Sequence, residues 1–192
     1  MRCRRSSCAA RCTSAGATTW APSRRARRCW ATRALAVPEG RLYLRLAGAE
    51  SPRNEALADA LALALQLTAW LAELGPAFAH GRLRLPAEEL ARGGVMLAEL
   101  TGERAGPELV RVVQRQIDWT RGFYAKGWEL CAALGPLRGR QLAFVLRWHA
   151  AELAALESAG SRLLRGPAEA GWVRLLACGS ACLVSRAAPR LA

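Results

Sequence analysis

The sequence predicts an all-α protein. Hydrophobic residues make up 52% of its 192 positions but aromatics only 6%, and long runs are dominated by alanine and leucine. Unbranched side chains of this kind lose little rotamer freedom in a helix, so they favour helix over sheet. From Pro38 onward the apolar residues recur at helical spacing between Gly-Pro and Gly-Gly breaks, and no stretch alternates as a strand would. The length fits one domain with a sizeable core, since domains commonly run to about 100–150 residues and can be larger.

Residues 1–35 stand apart as a basic segment rich in Arg, Ser and Cys. Met1 to Arg33 holds nine of the 28 basic residues and no acidic one, without a hydrophobic period. It reads as a transit peptide, a disordered basic arm, or translated sequence that is not native to the protein. Residues 36–192 form the predicted helical domain. Pro38 to Leu46 reads as a short helix or helix end before Gly48. Ser51-Pro52 is an N-cap followed by proline at the first helical position, where a missing N–H costs nothing. That helix is predicted to run to Leu74 and to stop at Gly75-Pro76. Its Leu57, Leu61, Leu63, Leu65, Leu67, Trp70 and Leu71 cover nearly the whole circumference, the mark of a central helix packed on most sides. Gln66 and Thr68 are then polar groups in a buried helix that need partners or a ligand.

A polar loop is predicted over Gly75 to Leu85, then a short helix opened by Pro86 and ended by Gly93-Gly94. Glu88 and Glu89 in its first turn suit the helix dipole and, being adjacent, make a poor acid/base pair. An amphipathic helix follows from about Pro107 to Leu134, with Leu109, Val113, Ile117, Tyr124, Trp128 and Cys131 inward and Arg111, Arg115, Asp118 and Lys126 outward. Helices from Arg140 to Leu164, carrying Leu142, Leu146, Leu153, Leu156 and Leu163 on one side, and from Glu169 to Arg186 complete the chain.

Several function classes are excluded on these grounds. The net charge of +13 suggests nucleic acid only until it is divided. Beyond Arg33 the chain has 19 basic and 15 acidic residues, a balance of +4, and no folded basic face is predicted. Four of the seven cysteines, Cys3, Cys8, Cys12 and Cys29, lie in the basic segment without paired C-x-x-C spacing or a histidine, so a zinc site is not expected. The odd count argues against a disulfide framework. Cys178 and Cys182 sit at i, i+4 on an apolar stretch as small hydrophobes. His80 and His149 lack metal-ligand partners at useful spacing and read as surface or boundary residues. The longest uncharged stretch of the body, Ala60 to Ala72, is short of the roughly 20 residues of a membrane span, and the N-terminal segment lacks the apolar run of a secretory signal.

One long pattern remains. Gln66-Leu67-Thr68-Ala69-Trp70-Leu71-Ala72-Glu73-Leu74-Gly75, then Gly81-Arg82-Leu83-Arg84-Leu85-Pro86-Ala87-Glu88-Glu89-Leu90, with Gly94-Val95 after it, resembles the Q-L-T-N-x-x-x-D-x-x-x-D and G-R-x-Y-L-P-x-E-x-L patterns of the squalene/phytoene synthase family. Pro38-Glu39-Gly40-Arg41-Leu42 is similar to the P-V-G-R-L of its bacterial hopanoid-pathway squalene synthase branch. Thr120-Arg121-Gly122-Phe123-Tyr124-Ala125-Lys126-Gly127 is similar to the A-R-x-x-Y-x-x-G of the next helix. The resemblance spans Ala36 to Ala188 and covers the C-terminal half of the family.

The resemblance implies part of an isoprenoid (terpenoid) synthase helical bundle and, as ancestral reaction, head-to-head joining of two prenyl diphosphates such as farnesyl diphosphate. Two aspartate-rich motifs on facing helices there hold Mg²⁺ against the diphosphates, because this hard ion bridges carboxylate and phosphate oxygens. Carboxylates four residues apart share a helix face and can bracket one metal cluster. On this pattern Glu73 is the candidate Mg²⁺ ligand, and Gln66 and Arg82 are the candidate diphosphate-binding residues. The chain departs from the family at Glu73 for the first aspartate, Ala77 for the second, Ala69 for the asparagine, Ala72 for an arginine and Arg84 for the tyrosine. No D-x-x-x-D precedes Pro38. Two readings follow: a family enzyme of impaired, truncated form using Mg²⁺, or a non-catalytic helical interaction protein or decaying-gene fragment. A half-fold with uncovered helix faces is expected to self-associate. The corresponding expectation for location is cytoplasmic, with peripheral membrane contact, and no nucleic-acid partner.

Overall fold

The computed structural model describes residues 24–165 and 176–181. Helix α1 runs Arg24–Ala47, α2 Pro52–Ala72, α3 Leu74–Ala79, α4 Ala87–Arg92, α5 Pro107–Gly127, α6 Glu129–Ala133 and α7 Gly135–Ala159, with 3₁₀ turns at Leu97–Thr101 and Gly160–Arg165. Residues 176–181 are also helical. Among the described residues no strand occurs, as the composition predicts. The cysteines before Arg24, Cys182, and most of the predicted Glu169–Arg186 helix lie outside the described residues.

The central position predicted for α2 is observed. Its N-cap is Ser51, whose Oγ accepts from the Asn54 amide at 3.1 Å, with Pro52 in the first turn. It packs against α1, α5, α6 and α7, burying Leu61, Leu63, Ala64 and Leu71. The helix is long and apolar enough to cross a membrane. Its surroundings are those of a core helix, however, because it also carries a buried Asp59 clamped by Arg41 of α1 through Nε at 3.0 Å and Nη2 at 2.9 Å. That bidentate pair holds the guanidinium of Arg41 above its ordinary pKa and ties α1 to α2 across the buried interface.

Helix α1 differs from the short element predicted after Pro38. It is continuous through Pro38, so the break in composition near residue 36 is not a break in the helix. A proline inside a helix forfeits one hydrogen bond and crowds the preceding turn, but flanking Ala, Leu and Arg are strong helix formers. Gly48 at φ +61 ends it. The predicted loop over 75–85 likewise contains α3: Pro76 falls in its first turn, where no intrahelical N–H bond is lost, and Ala77 and Phe78 are buried. Glu89, read as a helix-start charge, is buried beside Arg92, Nη1 to Oε1 3.4 Å.

The predicted helix from Pro107 to Leu134 is interrupted at Trp128. The interruption is slight, since the Trp128 amide still bonds the Tyr124 carbonyl at 3.0 Å. Leu109, Val113, Ile117 and Tyr124 face inward as expected, and Trp128 and Cys131 are half-buried. Gly135-Pro136, predicted to close this helix, instead opens α7, with proline in the first turn where its fixed φ suits a start.

Two residues of the Tyr124-x-x-Gly127 motif set the contact between α5 and α2. A Cβ on Gly127 would overlap the Leu61 side chain, so only glycine admits this approach. Three residues earlier, the buried Tyr124 hydroxyl meets Thr68 Oγ1 at 2.9 Å, while Thr68 bonds back to the Ala64 carbonyl at 2.9 Å. This supplies the partner that the sequence required for Thr68.

Gly127→Ala is expected to destabilise by about 1–3 kcal/mol through overpacking and Leu61→Ala by about 2–5 kcal/mol through a cavity. The double variant should cost less than their sum, because one change relieves the other; denaturant unfolding of the three variants measures the difference. Burial pushes the Tyr124 phenol well above its ordinary pKa of 10.0, the Thr68 bond opposing it. A raised folded-state pKa means stability is intact below pH about 10 and falls as the pH rises further. In an alkaline ultraviolet titration Tyr124 should ionise only with unfolding.

Candidate functional site

Gln66, Trp70 and Glu73 lie at i, i+4 and i+7 on α2, one stripe of the helix. Gln66 and Trp70 are half-buried, and Glu73 is exposed as the C-terminal cap of α2. After α3 the chain turns at Gly81, with φ +68, and the Arg82 amide bonds the Ala77 carbonyl at 2.7 Å. This return brings Arg84 onto the stripe. Its guanidinium carbon stands 5.6 Å from the Trp70 ring centroid, and Nη2 lies 3.1 Å from Glu73 Oε2.

The energetics of this cluster are uneven. Glu73 is 60% exposed and Arg84 26%, so the single-contact pair contributes on the order of 0–1 kcal/mol. The guanidinium over an indole face adds about 0.5–1 kcal/mol. Against this, Arg84 Nε is buried with no hydrogen-bond partner, a cost of about 1–3 kcal/mol for an unmet donor. Arg84 is therefore held at the site with its buried Nε–H unmet.

Of the three residues singled out from the sequence, the structure places Gln66 and Glu73 on one stripe, seven residues apart. Arg82 is exposed and lies two residues from Arg84 in the returning segment. Whether these residues suit a divalent cation is decided by their donors. Glu73 already holds a guanidinium, and Ala77, at the second carboxylate position, is a buried methyl. Among the described residues no three His, Cys, Asp or Glu converge as a metal site. A Mg²⁺ ion prefers several oxygen ligands in near-octahedral array, and these residues by themselves do not fit it.

The other singled-out residues have structural partners. His80 Nδ1 lies 2.7 Å from the Pro76 carbonyl on an exposed turn, and His149 Nδ1 lies 2.6 Å from Glu152 Oε2. Cys131 is half-buried and Cys178 buried. An open cleft of about 430 Å³ lies elsewhere, lined by Glu89, Arg92, Arg115, Gln116 and Trp119; none of Gln66, Glu73 or Arg82 borders it. Arg121 pairs with Glu157, and this bond, helped by Gln114, holds the Glu157 carboxyl below its ordinary pKa against the opposing effect of burial.

Sequence reasoning treated Trp70 as core and Arg84 only as a departure from the family tyrosine. Their partnership was signalled by nothing but the coincidence of an added arginine with an aromatic three residues before Glu73. The Arg41–Asp59 clamp was within reach, since Arg41 lies in the quoted Pro38–Leu42 motif, yet Asp59 gave no periodic signal.

The profile of the family described as squalene/phytoene synthase matches residues 32–174. Phytoene synthases of Mycobacterium bovis and Mycobacterium tuberculosis are each 32% identical over 120 residues, covering 55% of this chain and 40% of theirs. The crystal structure of squalene synthase HpnC from Alicyclobacillus acidocaldarius superposes with a TM-score of 0.63 at 27% identity, covering 71% of this chain and 51% of that one. A dehydrosqualene synthase, solved in complex with ligand, shares the fold at a TM-score of 0.63 and 20% identity, covering 67% of this chain and 46% of its own. The chain spans about half the length of the relatives it matches or less. The helical arrangement, the motifs that tie α1, α2 and α5 together, and the match over most of the sequence agree: the chain belongs to the squalene/phytoene synthase family.

Proposed function

We propose that this protein serves isoprenoid biosynthesis as a squalene/phytoene synthase-type protein that holds a prenyl diphosphate, of the farnesyl diphosphate class, at the C-terminal end of α2. The reaction to which its fold belongs is head-to-head condensation of two such diphosphates, and its P-E-G-R-L segment points to the hopanoid branch. The amide of Gln66 donates to a diphosphate oxygen. The Arg82 guanidinium offers a planar fork matched to phosphate. Ala69 and Trp70, half-buried on the same stripe, offer apolar surface to the first prenyl unit.

The observation that carries this reading is the Gln66–Trp70–Glu73 stripe closed over by the returning Arg82–Arg84 segment. The same observation limits it. With Glu73 held by Arg84 and Ala77 supplying no oxygen, the chain's own residues bind the diphosphate without ionising it. A second reading, a helical scaffold that self-associates, is favoured by Leu42, Tyr43 and Leu46, exposed at 58%, 38% and 75% along one side of α1; a face of this kind serves for association.

Purified protein given farnesyl diphosphate and Mg²⁺ should show a raised thermal midpoint. The rise should fall in Gln66→Ala and Arg82→Ala, by a loss of affinity of about tenfold for each charge-assisted bond removed. No pyrophosphate should be released above the blank. Release that disappears in Glu73→Ala would show a working metal site and restore the enzyme reading. No thermal shift with any prenyl diphosphate would remove the binding reading.

A further inference from the structure

The misfit between this site and a divalent cation has a positive side. Where the family pattern has tyrosine the chain has Arg84, and where it has a second carboxylate the chain has Ala77. These two substitutions raise the charge of the site, a cation added and an anion lost, while Ala72 in place of the family arginine removes one cation. Arg84 and Arg82 now stand two residues apart against the single carboxylate of Glu73, so the cluster carries a net positive charge without any metal. We propose that the site binds diphosphate independently of divalent cations, with the Arg84 guanidinium supplying the charge neutralisation that metal ions would otherwise supply. This rests on the diphosphate reading above and specifies how the anion is held.

Three features of Arg84 support this role. Its guanidinium is already positioned, resting on the Trp70 face 5.6 Å from the ring centroid, so little side-chain freedom remains to be lost on binding. Its present anionic partner is weak: one contact of 3.1 Å to a carboxylate that is 60% exposed, which screening by water makes easy to displace. Its Nε–H is buried without an acceptor. A diphosphate that displaces Glu73 from the guanidinium exchanges one contact for two parallel ones. Glu73 then acts as an internal competitor that occupies Arg84 while the site is empty. The position of Arg84 beside the Gln66 stripe also sets it, with Arg82, apart from the arginines elsewhere in this basic chain, which contribute only diffuse attraction.

The test is calorimetric titration of the 192-residue chain with inorganic pyrophosphate, once in EDTA and once in Mg²⁺, at physiological salt so that diffuse attraction is screened. The expected result is equal affinity in the two buffers, weaker by about tenfold or more in Arg84→Gln, tighter in Glu73→Gln, and unchanged in Arg140→Gln. Arg140 is exposed near the α6–α7 junction, at the other end of α2, where Glu129 pairs with Arg53. Circular dichroism of each variant confirms that it is folded; should Arg84→Gln be unfolded, Glu73→Gln carries the test by its tightening alone. Binding in Mg²⁺ but not in EDTA would overturn the inference and leave the diphosphate reading intact. Binding in EDTA that ignores both Arg84→Gln and Glu73→Gln would overturn the role of Arg84. Absence of binding in either buffer, for pyrophosphate and for farnesyl diphosphate alike, would overturn the reading on which the inference rests.

Discussion

Helix α2 is apolar around almost its whole circumference, and most of the fold follows from the need to cover it. An exposed helix of this composition would leave large apolar side chains in water at about 25 cal/mol for each Å². Helices α1, α5, α6 and α7 close around it instead. The polar groups that α2 carries into this core are each matched: Asp59 by Arg41 and Thr68 by Tyr124. The matching partners come from the two helices that pack most extensively on it, so each buried polar pair also sets the relative position of α2 and its neighbour.

The family motifs in this chain divide along physical lines. Those that hold helices together in this chain keep the residue types of the family pattern. Arg41 clamps Asp59, Tyr124 meets Thr68, and Gly127 admits Leu61. Those that would gather metal ions are altered: the carboxylates have become Glu73 and Ala77, and a tyrosine has become Arg84. Losing a core contact costs several kcal/mol, a large share of the roughly 5–15 kcal/mol that holds a domain together. Exchanging a carboxylate for an ion-paired one at a helix end costs almost nothing in stability. A chain can therefore keep this fold while the chemistry at the end of α2 changes.

The altered site is coherent rather than merely depleted. An isolated carboxylate, a lost carboxylate and an added arginine would be three unrelated changes if they lay apart. The structure brings Glu73 and Arg84 into contact beside Trp70, with Ala77 on the next short helix. The result is a guanidinium standing against the one carboxylate left where the family pattern has two.

Helical class, the central place of α2, its Ser51-Pro52 start and the inward face of α5 were all legible, because each depends on local propensity or on a repeat of 3.6 residues that the sequence displays directly. The family was legible from the order and spacing of its motifs. Less was legible where packing outweighs local signals: α1 runs through Pro38, α3 occupies a predicted loop because Ala77 and Phe78 are buried, and Gly135-Pro136 opens a helix instead of closing one. The site was half legible. Gln66, Glu73 and Arg82 could be named from their positions in a pattern, but the ion pair of Glu73 with Arg84 joins residues eleven apart across a helix and a turn. Sequence by itself determined the helical class, the central place of α2 and which residues bear charge. Only the tertiary structure decided which charges meet, because that depends on where the chain returns after Gly81, and no periodicity encodes it.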